Sequence, residues 1–162
     1  TSSGDVYAMV KTSLTGADPS LYLIKRNAAG VWSRYEYSIY SERLTRPILL
    51  IDEADDQIYV FAKSKLTGPE IIYRKTSSLS SISFPSGLGT PVIESASDLN
   101  IDNVTSTKQN VNDSTGILIL AGDLYTHYYF HNYFELSETP ILQSFSPQVA
   151  AAGAVVTLTG RS

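Results

Sequence analysis

The sequence predicts an all-β fold, and three observations support this prediction. Apolar and polar residues alternate over short runs along almost the whole chain, as in β-strands with one buried face. Clusters of Gly, Pro, Asn and Asp separate these runs and are typical of tight turns. A sequence pattern also recurs at a period of roughly 50 residues, which indicates a structural repeat. We therefore expect short antiparallel strands and no helix of ordinary length.

Composition excludes several classes of protein. The chain has 162 residues, of which 43% are hydrophobic and 17% charged, so it is too apolar for a disordered chain and too poor in charge for a coiled coil. The net charge of -4 argues against nucleic acid as a partner. No apolar run is long enough to predict a membrane span. Without cysteine, the chain has no disulfide, thiolate nucleophile or cysteine-based zinc site.

The repeat is clearest in one strand of each unit. Three runs resemble one another: residues 4–13, 56–65 and, more faintly, 115–123. Val6, Ile58 and Ile117 are equivalent in this alignment. Val6, Ala8 and Val10 alternate with Tyr7, Met9 and Lys11 in the first run, and the other two contain short apolar stretches, so each run is predicted to be a strand.

Further strands complete each unit. A strand containing tyrosine follows each run, in residues 21–26, 70–75 and 127–134. An opening strand precedes the second and third runs, in residues 46–52 and, more weakly, 107–113. A closing strand ends the first two units, in residues 31–39 and 91–94. Four strands per unit at this period are typical of a β-propeller blade. Residues 1–136 are therefore predicted to form a partial β-propeller of about two and a half four-stranded antiparallel blades.

The C-terminal residues follow a different pattern. The run from Pro140 to Pro147, and then residues 150–160 ending in Val-Val-Thr-Leu-Thr-Gly, resemble the opening of an IPT/TIG domain. That family is immunoglobulin-like and begins with a Pro-Ile-x-x-Phe-x-Pro strand, followed by a Val-Thr-Leu-x-Gly strand. The first strand here carries one extra residue. The resemblance implies that residues 137–162 are a linker and the first strands of an immunoglobulin-like sandwich.

The repeat region resembles the BNR/sialidase-like and related propellers of exported multidomain bacterial proteins, in which IPT/TIG modules can follow the propeller. The resemblance is one of architecture, since the run from Asn27 to Trp32 departs in spacing from the Ser-x-Asp-x-Gly-x-x-Trp turn of sialidases and lacks its Asp. It implies an extracellular or cell-surface location. It also implies that the remaining blades of the parent chain are packing partners.

A first candidate site lies where the predicted opening strands would enter a propeller channel. Alignment of these strands places Arg46 against Lys108, and two basic residues on adjacent blades can together hold a carboxylate or phosphate. Thr105, Ser106 and Gln109 add hydrogen-bonding groups to the same rim. The alternative, which we favour, is that these are hydrated polar residues of the channel, because Lys and Arg are mostly exposed to water.

A second candidate site is the aromatic strand in residues 127–134. Alternation predicts one face with His127, Tyr129, His131 and Tyr133, and a buried face with Tyr128, Phe130, Phe134 and Leu136, interrupted by Asn132. Flat amphipathic rings on one face can stack against a sugar. The favoured alternative is packing between blades. The two histidines would be roughly 13 Å apart on a strand, which is too far to share one zinc ion.

The acidic run Asp-Glu-Ala-Asp-Asp, in residues 52–56, is a third candidate. Carboxylates suit calcium, which takes about six to eight oxygen ligands. The run lacks the residue order of an EF-hand loop, so we interpret it as a hydrated hairpin turn. We predict no metal and no cofactor.

These patterns predict a non-catalytic binding or scaffold module of a secreted or cell-surface multidomain protein, with a glycan or another extracellular ligand near Arg46 and Lys108. The alternative is a fragment of a glycan-processing enzyme, a sialidase-like hydrolase or lyase, whose catalytic residues lie in missing blades. Glycoside hydrolysis requires two positioned carboxylates or an equivalent, and no such pair can be assigned here. No Gly-x-Ser-x-Gly nucleophile motif is present either. We therefore predict no catalytic residue.

Overall fold

A computed structural model describes residues 1–65, 70–95, 100–136, 141–146, 155 and 157–161. In these ranges the regular structure consists of β-strands and one 3-10 turn, Tyr40–Glu42, without any α-helix. The predicted all-β class is therefore confirmed. The described ranges also hold no helix with the length and apolar character needed to cross a membrane.

Twelve strands follow one another along the described chain. The first seven are β1 (Val6–Lys11), β2 (Pro19–Arg26), β3 (Trp32–Ile39), β4 (Leu44–Asp52), β5 (Gln57–Ser64), β6 (Ile72–Ser78) and β7 (Thr90–Ile93). The remaining five are β8 (Ile101–Thr105), β9 (Ile117–Asp123), β10 (Tyr129–Phe134), β11 (Ile141–Ser146) and β12 (Thr157–Arg161). They form four antiparallel sheets in sequence order: β1-β2-β3, β4-β5-β6-β7, β8-β9-β10 and β11-β12.

The strand counts agree with the predicted units. The second sheet has all four strands of a complete unit. The first sheet lacks an opening strand and the third lacks a closing strand within the described residues, as predicted. None of these described sheets closes on itself.

The position predicted for the opening strand of the third unit is wrong. That strand is β8 (Ile101–Thr105), whereas residues 106–116 form bends, turns and irregular structure. In β8, Asp102 pairs with Gly122 and Thr105 with Leu120, so a β-bulge lies between these two pairs. The bulge places buried residues at Ile101 and Val104, three positions apart, which breaks the strand period of two on which the prediction relied.

The same bulge occurs in β4. Thr45 pairs with Lys63 and Ile48 with Phe61, which repeats the three-against-two spacing seen in β8. Arg46 and Asn103 occupy equivalent positions in the two bulges, each with a φ of 52°. The structural counterpart of Arg46 is therefore Asn103, so the alignment of Arg46 with Lys108 is wrong.

The first three sheets are stacked face to face, with an apolar layer between each neighbouring pair. Between the first and second sheets lie Leu21, Leu23, Tyr37, Leu44, Ile58, Val60 and Ala62. Between the second and third sheets lie Leu50, Phe61, Ile72, Val92, Ile93, Ile101, Val104, Val111, Ile117, Ile119 and Ala121. Strand β5 is thus buried on both faces. Each large apolar side chain that is fully buried in these layers stabilises the fold by about 1.5–3 kcal/mol relative to an exposed position.

The C-terminal strands form a separate two-stranded sheet. Leu142 pairs with Gly160 and Ser144 with Thr159, so the register shifts at Gln143. This irregularity accommodates one more residue in β11 than in β12. The rest of the motif, including Pro140 and residues 147–154, lies outside the described residues.

Candidate functional site

Arg46 lies in the bulge of β4, where its guanidinium has acidic and polar partners. Nη1 of Arg46 contacts the carboxylate of Asp102 and donates a hydrogen bond to Oδ1 of Asn103 at 2.8 Å. The other oxygen of Asp102 lies 3.2 Å from Nζ of Lys63, which also contacts Glu70. The side chains of Lys63 and Asp102 are each 4% exposed, so this ion pair is buried between the second and third sheets, whereas the side chain of Arg46 is 47% exposed.

The network determines how strongly Arg46 can attract an anionic ligand. Burial alone would raise the pKa of Asp102, but hydrogen bonds from the backbone N–H of Asn103 and from the side chains of Arg46 and Lys63 lower this pKa below its usual value. Asp102 is therefore ionised at neutral pH and neutralises much of the field of Arg46. An anion at Arg46 would compete with Asp102, which weakens the case for a carboxylate or phosphate site there.

Lys108 and Gln109 lie away from this network. They follow β8 in an exposed segment that leads to Val111, whose N–H bonds to the carbonyl of Ile51 at 2.9 Å. Since Arg46 lies near the start of β4 and Ile51 near its end, Arg46 and Lys108 lie toward opposite ends of that strand. Gln109 borders a shallow cavity of about 370 Å³ on the outer face of the third sheet.

A second cleft brings other predicted residues together. Its volume is about 260 Å³, and its lining includes Asn103, Thr105, Leu120, His127, Tyr128 and Tyr129. The two tyrosines are 68% and 85% exposed. Thr105 and Tyr129 are both predicted site residues, whereas Arg46 does not line the cleft and is connected to it only by its hydrogen bond to Asn103. The arrangement offers an exposed aromatic surface beside amide, hydroxyl and imidazole groups.

The remaining two predicted residues lie on the same sheet face. His131 is exposed opposite Leu120, and Tyr133 is 52% exposed opposite Leu118. The buried face of β10 carries Phe130 and Phe134, which pack against the core. Asn132 interrupts this apolar face with a polar side chain. Its Nδ2 donates a hydrogen bond to the carbonyl oxygen of Val92 at 2.8 Å, which satisfies the amide.

The face predicted for Tyr128 is wrong. Strand β10 begins at Tyr129, so Tyr128 lies in the preceding turn and is largely exposed. His127 has a φ of 61° in that turn and therefore does not continue the strand alternation. Because His127 adopts the left-handed conformation, the strand alternation begins only at Tyr129. Phe130 is therefore the first residue whose side chain packs into the core.

The buried charge network was not predicted from the sequence, although a repeat signal for it existed. Lys63 is equivalent to Lys11 in the alignment of strand runs. Nζ of Lys11 lies 3.4 Å from Oγ1 of Thr45 on the next sheet, just as Lys63 contacts Asp102 on the sheet that follows it. Thr45 and Asp102 occupy equivalent bulge positions. A lysine at this position thus bonds to the next opening strand in two successive units.

No protein-family model, curated protein or solved structure matches this chain. A fold class by itself does not determine a function. The geometry of the stacked sheets and of the cleft therefore carries the proposal that follows.

Proposed function

We propose that residues 1–136 are part of a β-propeller that serves as a non-catalytic binding or scaffold module of a secreted or cell-surface multidomain protein. The regular stacking of the sheets supports this proposal. Tyr7 and Met9 of β1 pack toward the second sheet, and their equivalents Tyr59 and Phe61 of β5 pack toward the third. A constant direction of stacking is what consecutive propeller blades require.

The cleft beside Tyr129 is the observation that carries the binding function. An exposed aromatic ring offers an apolar face to the C–H groups of a sugar, while Asn103, Thr105 and His127 offer hydrogen-bonding partners for its hydroxyls. The pairing of Arg46 with Asp102 favours a neutral glycan over an anionic one.

The small number of carboxylates in the cleft supports a non-catalytic role. Asp123 is the one acidic residue among the described residues that line it. Its Oδ1 accepts the backbone N–H groups of Tyr125, at 2.8 Å, and of Thr126, so this oxygen holds the turn between β9 and β10. Hydrolysis of a glycosidic bond calls for a second carboxylate across the site.

The C-terminal hairpin supports a second module. Strands β11 and β12 pair with each other as the first strands of an immunoglobulin-like sandwich would. We propose that residues 137–162 begin an IPT/TIG-like domain that follows the propeller. Such an arrangement is consistent with the proposed extracellular or cell-surface location.

A glycan array probed with the 162-residue chain tests the binding function. We expect Tyr129→Ala to weaken binding of the glycans retained by the unmodified chain by about two- to tenfold, since one stacked aromatic ring contributes roughly 0.5–1.5 kcal/mol. Thr105→Ala should weaken binding less. Lys108→Ala should leave it unchanged, because Lys108 lies away from the cleft.

Tyr125→Ala is the matched control, since Tyr125 is 70% exposed in the same turn and does not line the cleft. Equal losses in Tyr125→Ala and Tyr129→Ala would show that the turn, rather than the cleft, determines binding. Loss of binding in Lys108→Ala with full binding in Tyr129→Ala would place the ligand at the site predicted from the sequence.

A further inference from the structure

Three carboxylates from two different sheets meet at the turn between β4 and β5. Asp52, Asp55 and Asp113 each offer one oxygen, and these oxygens all lie within 4.8 Å of one another. Asp113 comes from the turn before β9. It is brought to the others by the hydrogen bond from Val111 N–H to the carbonyl of Ile51, 2.9 Å long.

Asp52 is the buried member of this group and is incompletely bonded. Its residue is fully buried, at 0% exposure. Oδ1 accepts the backbone N–H groups of Ala54 at 3.0 Å and Asp55 at 3.2 Å, which closes the turn. Oδ2 is also buried, and no hydrogen-bond donor among the described residues reaches it. An unsatisfied buried acceptor destabilises a fold by about 1–3 kcal/mol, and more when it is charged.

We propose that Asp52, Asp55 and Asp113 bind a calcium ion that joins the second sheet to the third. The ligand set contains only oxygen, which suits a hard cation and disfavours zinc or copper. Carboxylates on two turns give an irregular geometry, which calcium tolerates and magnesium does not. Carbonyl groups of the turns and water would complete the coordination.

This site is independent of the proposed glycan function. It lies at the end of β4 and the start of β5, whereas the cleft lies at the start of β10 and the end of β9. A calcium ion here would hold two sheets together and would not contact the cleft.

Tyr59 provides an optical probe of the site. It lies on β5, one residue after Ile58, and packs partly buried against the layer between the second and third sheets. Tyr59 pairs with Leu50, two residues before Asp52, which places its ring on the strand next to the carboxylates. Burial raises the pKa of Tyr59 above its usual value, and the charges of the three carboxylates raise it further against the opposing charge of Arg74. A nearby tyrosine can transfer excitation to a bound terbium ion, which replaces calcium at oxygen sites.

The first measurement uses the 162-residue chain after treatment with a chelator. Titration with terbium should produce emission on excitation of tyrosine, and calcium should displace it with a stoichiometry of one ion per chain. Calcium should also raise the melting temperature, because a ligand that binds only the folded state stabilises it. Magnesium should displace terbium much less effectively. Equal displacement by magnesium would overturn the assignment to calcium.

Variants then locate the ion. Asp113→Asn should weaken calcium binding by about tenfold or more, since affinity depends on the number of charged ligands. Asp18→Asn is the control, because Asp18 is exposed in the turn before β2, on the first sheet. Tyr59→Phe should abolish most of the terbium emission while calorimetry still detects calcium. Absence of calcium binding to the unmodified chain at millimolar concentration, or unchanged binding in Asp113→Asn, would overturn the proposal.

Discussion

Asp102 is the residue whose side chain links the charges of the second and third sheets. It contacts Arg46 on β4 and Lys63 on β5, with 3.2 Å between Oδ1 and Nζ of Lys63. Removal of one member of a buried ion pair leaves its partner without compensation. We expect Asp102→Asn to lower the free energy of unfolding by about 3 kcal/mol, as measured by urea denaturation. Asp18→Asn, on an exposed turn, should change stability little. A similar small effect of both variants would show that Lys63 is satisfied by Glu70 alone.

The lowered pKa of Asp102 predicts an acid-dependent loss of stability. A carboxyl group whose pKa is lower in the folded than in the unfolded state stabilises the fold above its unfolded pKa, which is about 3.9. This contribution is lost as the pH falls through the lower, folded pKa. The difference in stability between the unmodified chain and Asp102→Asn should therefore be constant from neutral pH to about pH 5 and decrease below about pH 4. Urea denaturation across this range measures it. A difference that persists unchanged at low pH would assign the effect to packing.

At the scale of the element, the strands marked by a compact apolar run were predicted well, whereas the position of β8 and the start of β10 were not. The second sheet was predicted in full because β4, β5, β6 and β7 each carry a compact apolar run between turn residues. Strand β8 was missed because its bulge disrupts the period of two and the strand ends at Thr105, whereas β4 has the same bulge but continues into the apolar run from Ile48 to Ile51. The start of β10 was displaced for a related reason, the positive φ of His127. Backbone conformation at single residues is only weakly encoded by residue type, especially when the residue is neither Gly nor Pro.

The bulge of β8 can be tested at Asn103. With a φ of 52°, this residue adopts the left-handed conformation, which Asn tolerates and β-branched residues do not. We expect Asn103→Val to lower the free energy of unfolding by about 1–3 kcal/mol, whereas Asn103→Gly should be nearly neutral. In the Asn103→Gly variant, relief of backbone strain offsets the loss of the side-chain hydrogen bond to Arg46. Equal destabilisation by both variants would indicate that this side-chain bond, and not backbone conformation, makes the contribution.

The turn before β9 depends on Gly116 for two reasons. Its φ is +58°, and a Cβ at this position would lie 2.7 Å from the carbonyl oxygen of Phe134. Gly116→Ala should therefore destabilise the fold through strain and through a clash with backbone, by about 2–3 kcal/mol in total. Gly16→Ala separates the two effects, since Gly16 has a φ of +72° and a Cβ added there would meet no atom within 4 Å, so it should cost only about 1 kcal/mol. Thermal melts of the two variants provide the comparison.

At the scale of the whole molecule, the period of the sequence predicted how units follow one another but not which side chains meet between them. The carboxylate group at Asp52 and Asp55 includes Asp113 from the turn before β9, and Asp102 of the third sheet contacts Arg46 and Lys63 of the second. Such contacts join residues far apart in sequence. They depend on the stacking of whole sheets, for which a single sequence gives no distance.

The direction of stacking leaves two apolar faces uncovered in the described structure. Leu118 and Leu120 on the third sheet are equivalent to Tyr59 and Phe61 on the second sheet. The third sheet covers these two aromatic residues. The two leucines are instead 45% and 38% exposed. On the first sheet, Val6 is equivalent to the fully buried Ile58 but is 53% exposed. The outer face of the third sheet thus resembles a surface that another sheet covers elsewhere in the same chain. Tyr129 lies on this face and Leu120 also lines the cleft, so the proposed glycan site requires that a sheet packed on Leu118 and Leu120 leaves Tyr129 accessible.

A second copy of the 162-residue chain can cover these exposed faces. The outer face of the third sheet would then pack on the outer face of the first sheet of another molecule, and such head-to-tail contacts form rings or open chains rather than two-fold dimers. We expect concentration-dependent association in sedimentation velocity, and Leu118→Glu should reduce it by placing a charge in the contact. Leu124→Glu is the control, because Leu124 is 53% exposed in a turn outside this face. If the unmodified chain sediments as a monomer at all concentrations, the exposed leucines are not a packing surface and the assignment of these sheets to a larger propeller fails with them.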